Sequence, residues 1–265
     1  MVNKIFVIII LLSPLWANGQ GRVDGFYKSK GDIDLVANVG FEANPFYYAG
    51  RDKISLTRNI LFTNFFMAYG ISDKFNLNFS VPFLVVNGKE IGVQDLNLFF
   101  KYKLLSIKST QISLASGFSS NITNYQTEGG SALGQQAKIV DVRIVTHSSF
   151  NKGYFSTFQI GYSFKSDPTP NSLPLALKVG LASSKYYVDF WYEYQYSFGG
   201  LDYLGIFVPI SFKQLGVDYH KIGGTFYKPI KNKLGVFVGA SYLIGGRNTS
   251  SGVSVNTGIV FKHIN

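Results

Sequence analysis

Averaged over its 265 residues this chain is slightly apolar, yet beyond the first twenty it is never apolar for long, because its apolar side chains recur at every second position. In "KFNLNFSVPF" (74–83), Phe75, Leu77, Phe79, Val81 and Phe83 alternate with Lys74, Asn76, Asn78, Ser80 and Pro82. Successive side chains of a strand point to opposite faces, so each such stretch predicts a strand with one apolar and one polar face. The densest example is "YYVDFWYEYQYSF" (186–198). Val188, Phe190, Tyr192, Tyr194 and Tyr196 share one face, while Asp189, Glu193, Gln195 and Ser197 share the other with Trp191. The rings demand an apolar neighbour and the carboxylates a wet one.

Segments of this kind number twelve: 31–48, 57–71, 74–87, 91–104, 109–121, 136–150, 153–166, 172–183, 185–198, 214–228, 231–245 and 251–263. The second is apolar on both phases and the tenth is interrupted. From the second segment onward the connections alternate. Tight turns ("ISDK", "LSIKST", "FNKGY", "ASSK", "KPIKNK") trade with mostly long loops at 48–57, 120–136, 166–172, 198–214 and 245–251, and only "NGKE" (87–90) breaks the pattern. Short turns at one end and long polar loops at the other mark a barrel of the outer membrane of Gram-negative bacteria, with its turns in the periplasm and its loops outside. In hydrocarbon each unpaired N–H or C=O costs several kcal/mol, so an open sheet edge cannot face lipid. The expected fold is therefore all-β, a transmembrane antiparallel up-and-down β-barrel of about 12 strands. A soluble sandwich or a lipocalin-type barrel shows the same period; segment number, aromatic load and loop asymmetry favour the membrane barrel. Rings near segment ends, Tyr69, Phe83, Phe150, Tyr154, Phe198 and Tyr227, fit its interfacial girdles.

The beginning differs. "MVNKIFVIIILLSPLWANGQ" places Lys4 before the apolar run 5–12 and the small-residue site Ala17-Asn18-Gly19. This pattern predicts a secretory signal over 1–19, cleaved after Gly19, followed by one barrel domain over 20–265. The run is too short for a spanning helix. There is no cysteine, which removes disulfides, thiol catalysis and thiolate metal sites. Aromatic residues make up 16% and charged residues 15%, the latter well below the ~25% of soluble domains.

Formal charge is +10. All five tight turns carry lysine: Lys74, Lys108, Lys152, Lys185, and Lys228, Lys231 and Lys233 together. At a membrane edge these stems lie along apolar surface and the ammonium groups sit among anionic head groups. Outer-membrane lipids are thus expected partners. Nucleic acid is not, since no basic helix or exposed ring-and-lysine platform is present. The polar faces place Asp95, Lys101, Lys103, Asp141, Arg143, Lys165, Lys178, Asp189 and Glu193 on the lumen side, the candidate pore lining. If 183–186 closes a regular hairpin, Lys178 falls opposite Trp191 and diagonal to Asp189 and Glu193, within reach of pairing.

One fragment invites a catalytic interpretation. His147-x-Ser149 resembles the His-x-Ser of outer-membrane lipid hydrolases, where a His–Ser pair is the minimum for attack on an ester. Three features oppose it: the pair shares the lumen phase of Asp141 and Arg143, it falls at the periplasmic end, and Phe150-Asn151 replaces the Asn-Gly of those enzymes. No catalytic residue, cofactor or metal site is expected, and His220 and His263 are isolated.

"MAYGISDKFNLNFSVPFLV" (67–85) and "GVQDLNLFFKYKLL" (92–105) carry a resemblance. Tyr69-Gly70-Ile71-Ser72-Asp73, then Val81-Pro82-Phe83, then Gly92, Asp95 and Leu96 resemble the outer-membrane barrel family named for the MetA pathway of phenol degradation, described as transporter-like. The resemblance covers about one seventh of the chain. It implies a closed barrel and passage of small, often aromatic or apolar compounds. The expected function is a passive channel for small solutes. The alternative is a sealed structural or adhesion barrel acting through its long loops.

Overall fold

The computed structural model describes residues 23–264, so the signal expected over 1–19 lies outside the described residues. Fourteen strands form one antiparallel sheet: β1 (Ile33–Ala49), β2 (Asp52–Ser55), β3 (Ile60–Ser72), β4 (Phe75–Val86), β5 (Glu90–Val93), β6 (Asp95–Ile107), β7 (Thr110–Asn121), β8 (Ile139–Ser149), β9 (Tyr154–Lys165), β10 (Ser172–Ala182), β11 (Tyr187–Ser197), β12 (Asp218–Lys231), β13 (Leu234–Arg247) and β14 (Thr249–His263). Twelve of them neighbour one another in chain order, and β1 pairs β14 from Ile33↔His263 to Tyr48↔Thr249, which closes the ring. The two others, β2 and β5, fold back on β1 and β4 above the ring.

Closure follows from the alternation. Outward positions are apolar and exposed, among them Phe65, Leu114, Val142, Ile160, Val179, Phe190, Val238 and Val255. Inward positions on the same strands are polar and buried, among them Asn97, Ser119, Asp141, Gln159, Ser163 and Ser241. An inverted soluble barrel would bury the first set. Rings gather at both ends of the outer wall. At the turn end Phe75 stacks on Phe100 (5.8 Å), and at the loop end Tyr162, Phe164, Tyr196 and Phe198 lie 4.6–5.4 Å apart. Tyr227 departs from the expected girdle. It shares the inward phase of Gly223 and Thr225, covers Gly235, and lies under the Lys262 ammonium at 4.7 Å.

The "NGKE" exception is explained by an added hairpin. Asn87 and Gly88 both take positive φ (53° and 65°), as a type I′ turn requires, and return the chain as β5. Pairing with β4 lapses near Pro82, which has no N–H, and resumes with β6 at Asn97↔Ser80. The apolar inward phase of β3 also has a cause: Ile60 and Phe62 join Leu84, Val86 and the loop residue Leu133 in a buried cluster.

Candidate functional site: the barrel lumen

Two chain segments enter the lumen, one from each end. Residues 23–31 run inside the wall from the turn end, as a strap held largely by its own backbone. The Lys101 ammonium donates to Asp24 O and to Phe26 O (2.6 Å). Val23 N donates to Gln159 Oε1 (3.2 Å), Lys28 N to Asn76 Oδ1 (2.8 Å), and Asn76 Nδ2 back to Lys28 O (3.1 Å). Tyr27 Oη donates to Ser113 Oγ (2.8 Å), with the Lys101 and Lys103 ammonium groups over its ring at 4.3 and 4.4 Å. Phe26 meets His147 (4.5 Å) and Phe155 (5.0 Å) edge-on. A close approach explains Gly25: a Cβ there would meet His147 Nδ1 at 2.3 Å and Thr157 Oγ1 at 2.7 Å. At the inner tip Val23 packs with Phe99, Ala115 and Val145. These side chains come from β4, β6, β7, β8 and β9, and Lys28 also pairs with Asp34 on β1, Asp24 with Lys178 on β10 (3.9 Å) and Phe26 with Tyr187 on β11 (6.5 Å), so the strap reaches across the lumen.

At the loop end, residues 122–138 fold into the mouth. Leu133 fills the cluster of Ile60, Phe62, Leu84 and Val86. Arg58 Nη2 donates to Ala132 O (2.5 Å), Gln94 Nε2 to Leu133 O (2.6 Å), and Tyr125 Oη to Asp95 Oδ1 (2.6 Å). The loop 198–217 leans on it: Gln135 Nε2 donates to Phe212 O and Leu215 O (3.0 Å each), and Glu128 accepts from Ser211 Oγ (2.6 Å) and Phe212 N (2.9 Å). Burial would raise the Glu128 carboxyl, but these bonds and Lys213 outweigh it and hold the carboxyl below its ordinary value.

Four cavities follow one another along the lumen. One of about 240 Å³ lies at the mouth beside Tyr203 and Phe212, and one of about 160 Å³ lies beneath it between Arg58, Glu42 and Lys221. A central chamber of about 300 Å³ is bounded by Val23, and a turn-end cavity of about 330 Å³ lies between Tyr27, Lys103, Asp73 and Ser149. The apolar cluster around Phe62 stands between the second and the third, and the strap between the third and the fourth.

The nine charged residues expected in the lining all project inward, but they differ in what they meet. Asp141 and Arg143 pair at 3.3 Å and are essentially inaccessible, with Ser163 donating to Asp141 (2.5 Å) and Arg143 to Gln159 (3.3 Å). Lys101 is buried under the strap. Lys178 faces Trp191 in the predicted register and meets Asp189 (3.6 Å) and Asp24 (3.9 Å). Asp189 also accepts from Tyr187 (2.6 Å). Asp95 is held by Tyr125, Lys103 lines the turn-end cavity, and Lys165 is half-buried near the loop end of β9. Of the nine, Glu193 lines the central chamber.

That chamber is otherwise made of groups that charge-based reasoning passed over. Asn38, Asn64, Asn78, Asn97 and Asn256 line it with Ser80 and Thr225, and Phe66, Phe99, Trp191 and Phe237 supply ring faces. The signal was present in the sequence, since Asn78, Asn97 and Asn256 stand on the polar phase of their strands. The strap carried no such signal, because 23–31 has no period. His147 points into the lumen, with Thr157 Oγ1 at 2.8 Å on Nδ1 and Ser149 Oγ at 3.4 Å on Nε2, away from lipid.

This geometry has structural relatives. No family model matches the chain, and no curated protein matches it. Among solved structures, it is similar to the COG4313 outer membrane channel from Pseudomonas putida F1, at 16% identity and a TM-score of 0.70, covering 91% of this chain and all of that one. The NanC porin follows at 10% identity and 0.59, covering 86% of this chain and all of that one. The KdgM porin follows at 9% and 0.51, covering 87% and 99%. The chain shares its fold with these outer-membrane β-barrels. It is a closed ring of twelve strands, with strap and loops added inside.

Proposed function

We propose that this protein is a passive channel of the Gram-negative outer membrane for small solutes, exported by its signal segment and narrowed from within by residues 23–31. One observation carries this reading. A sealed ring with a lipid-compatible exterior encloses a polar lumen that keeps a chamber of about 300 Å³, at the lower end of the ~300–1,000 Å³ of small-molecule sites. A barrel built only as a scaffold has no need for an interior chamber lined by five carboxamides. The likeness to barrels described as channels or porins supports the same reading. The resemblance to the MetA-pathway family supports passage of small solutes. Lumen ionic groups such as Lys178 and Asp189 serve as wall and strap anchors, and Glu193 as the charged group of the chamber.

Chemistry needs little here. The His147–Ser149 pair is occupied by Thr157 and met edge-on by Phe26, and among the described residues no carboxylate is hydrogen-bonded to the imidazole. The test is purified protein in planar bilayers and in liposomes. Discrete conductance steps and solute uptake are expected; absence of both leaves the sealed barrel. That second reading has one feature in its favour. Loop 198–217 holds Ile206 and Ile210 almost wholly exposed and Phe207 and Val208 about three-quarters exposed, an apolar tip suited to contact outside the barrel.

A further inference from the structure

The charged groups of the lumen are largely consumed in pairs. Asp141 binds Arg143, Asp189 binds Lys178, Glu42 meets Lys221 at 3.6 Å, and Lys101 is spent on the strap backbone. What remains around the central chamber is almost neutral. Among the described residues no lysine or arginine lines it, and Glu193 is its one carboxylate.

Its wall has two chemistries. The first is an arc of carboxamides on neighbouring strands: Asn256 on β14, Asn38 on β1, Asn64 on β3, Asn78 on β4 and Asn97 on β6. Asn38 and Asn64 are direct cross-strand partners. A carboxamide carries two donors and an acceptor, though that of Asn97 already donates to Asp95 O (3.0 Å) and accepts from Ser119 Oγ (2.5 Å). The Oδ1 atoms of Asn38 and Asn256 are buried with no hydrogen-bond partner among the described residues, which costs free energy unless something donates to them. The second chemistry is the set of ring faces of Trp191, Phe66, Phe99 and Phe237.

We infer that the central chamber is a recognition site for uncharged, polyhydroxylated rings of sugar size. The inference rests on the channel reading and deepens it. A neutral polyol exchanges its water hydrogen bonds for those of the carboxamides, and its C–H groups meet the rings set among them on β3, β6, β11 and β13. An anion of the same size sheds hydration without a matching counter-charge, whereas a cation has Glu193 in the wall. Specificity of this kind comes from hydrogen-bonding groups that a wrong solute leaves unpaired.

The experiment compares glucose, glucuronate and glucosamine, one ring skeleton with three charges, entering liposomes that contain the purified protein, with potassium chloride conductance measured in parallel. Glucose is expected to enter at least about fivefold faster than glucuronate, with glucosamine, which meets Glu193, slowed less. Asn38→Leu with Asn256→Leu should lower glucose entry about fivefold while chloride-salt conductance stays within about twofold. Equal entry of glucose and glucuronate, with conductance present, overturns the inference and leaves the channel standing. No conductance and no entry of any ring overturns the channel itself. If the double variant fails to form a barrel, judged by heat-dependent gel mobility, Asn78→Asp is the second probe. It should raise potassium-over-chloride selectivity and slow glucuronate further, and no change in either refutes the chamber as the selective point.

Discussion

If the strap is held as its geometry indicates, Lys101→Met should release it. The methionine keeps the length of the stem and removes the ammonium that donates to Asp24 O and Phe26 O. Hydrogen bonds from a charged group contribute about 1.5–3 kcal/mol each, so the gross loss is roughly 3–6 kcal/mol. Removing a buried ammonium also returns part of its desolvation cost, which is several kcal/mol in protein interiors. A net loss near 2 kcal/mol raises the released population about thirtyfold. The absence of cysteine allows a direct readout. Val23 sits at the buried tip, 2% exposed, so Val23→Cys should react with a soluble maleimide only when the strap leaves the wall. Its labelling rate in Lys101→Met should exceed that in the Lys101 background by about thirtyfold, with a larger unit conductance in planar bilayers. Ser29→Cys, in the exposed part of the strap, is the control and should label rapidly in both backgrounds. Equal Val23→Cys rates in the two backgrounds would refute the anchoring role of Lys101.

Three further outcomes are expected. Val238→Arg, on the lipid-facing phase of β13, should cost about 2–4 kcal/mol in urea titrations of the lipid-embedded barrel; a cost near zero would place that face away from lipid. Leu133→Ala removes the plug of the Ile60–Phe62–Leu84–Val86 cluster and should loosen loop 122–138 by about 2–3 kcal/mol, seen as faster amide exchange there with the ring unchanged. Glu128 has a carboxyl held below its ordinary value by Ser211 and the Phe212 N–H. A depressed value stabilises the clasped loops above the free carboxyl range, about pH 4.3, and that stabilisation is lost as pH falls through the lower bound value. Amide protection of 122–138 and 198–217 should therefore drop in acid, and Glu128→Gln should show the same loss at neutral pH.

The strands were legible because their information is local. In 186–198 the ring phase and the acid phase are set by a two-residue period, and Phe190 outward with Asp189 inward follows from it. The Lys178–Asp189 contact was legible for a related reason, since a tight turn at 183–186 fixes the register. Tyr227 escaped because position near a strand end does not determine facing; its phase, shared with Thr225, does.

What the sequence by itself determined is the closed barrel: alternation makes one face of every strand apolar, and unpaired backbone cannot border lipid, so the sheet must meet itself. What only the tertiary structure decided is the content of the ring. Residues 23–31 have no periodicity, and their place beside Lys101, Gln159 and His147 joins positions more than seventy residues apart. That insertion covers charges the strand pattern assigned to a water path and leaves the asparagine arc bordering the open chamber. A long-range packing choice of this kind depends on the shape left inside the finished barrel, which no local period encodes.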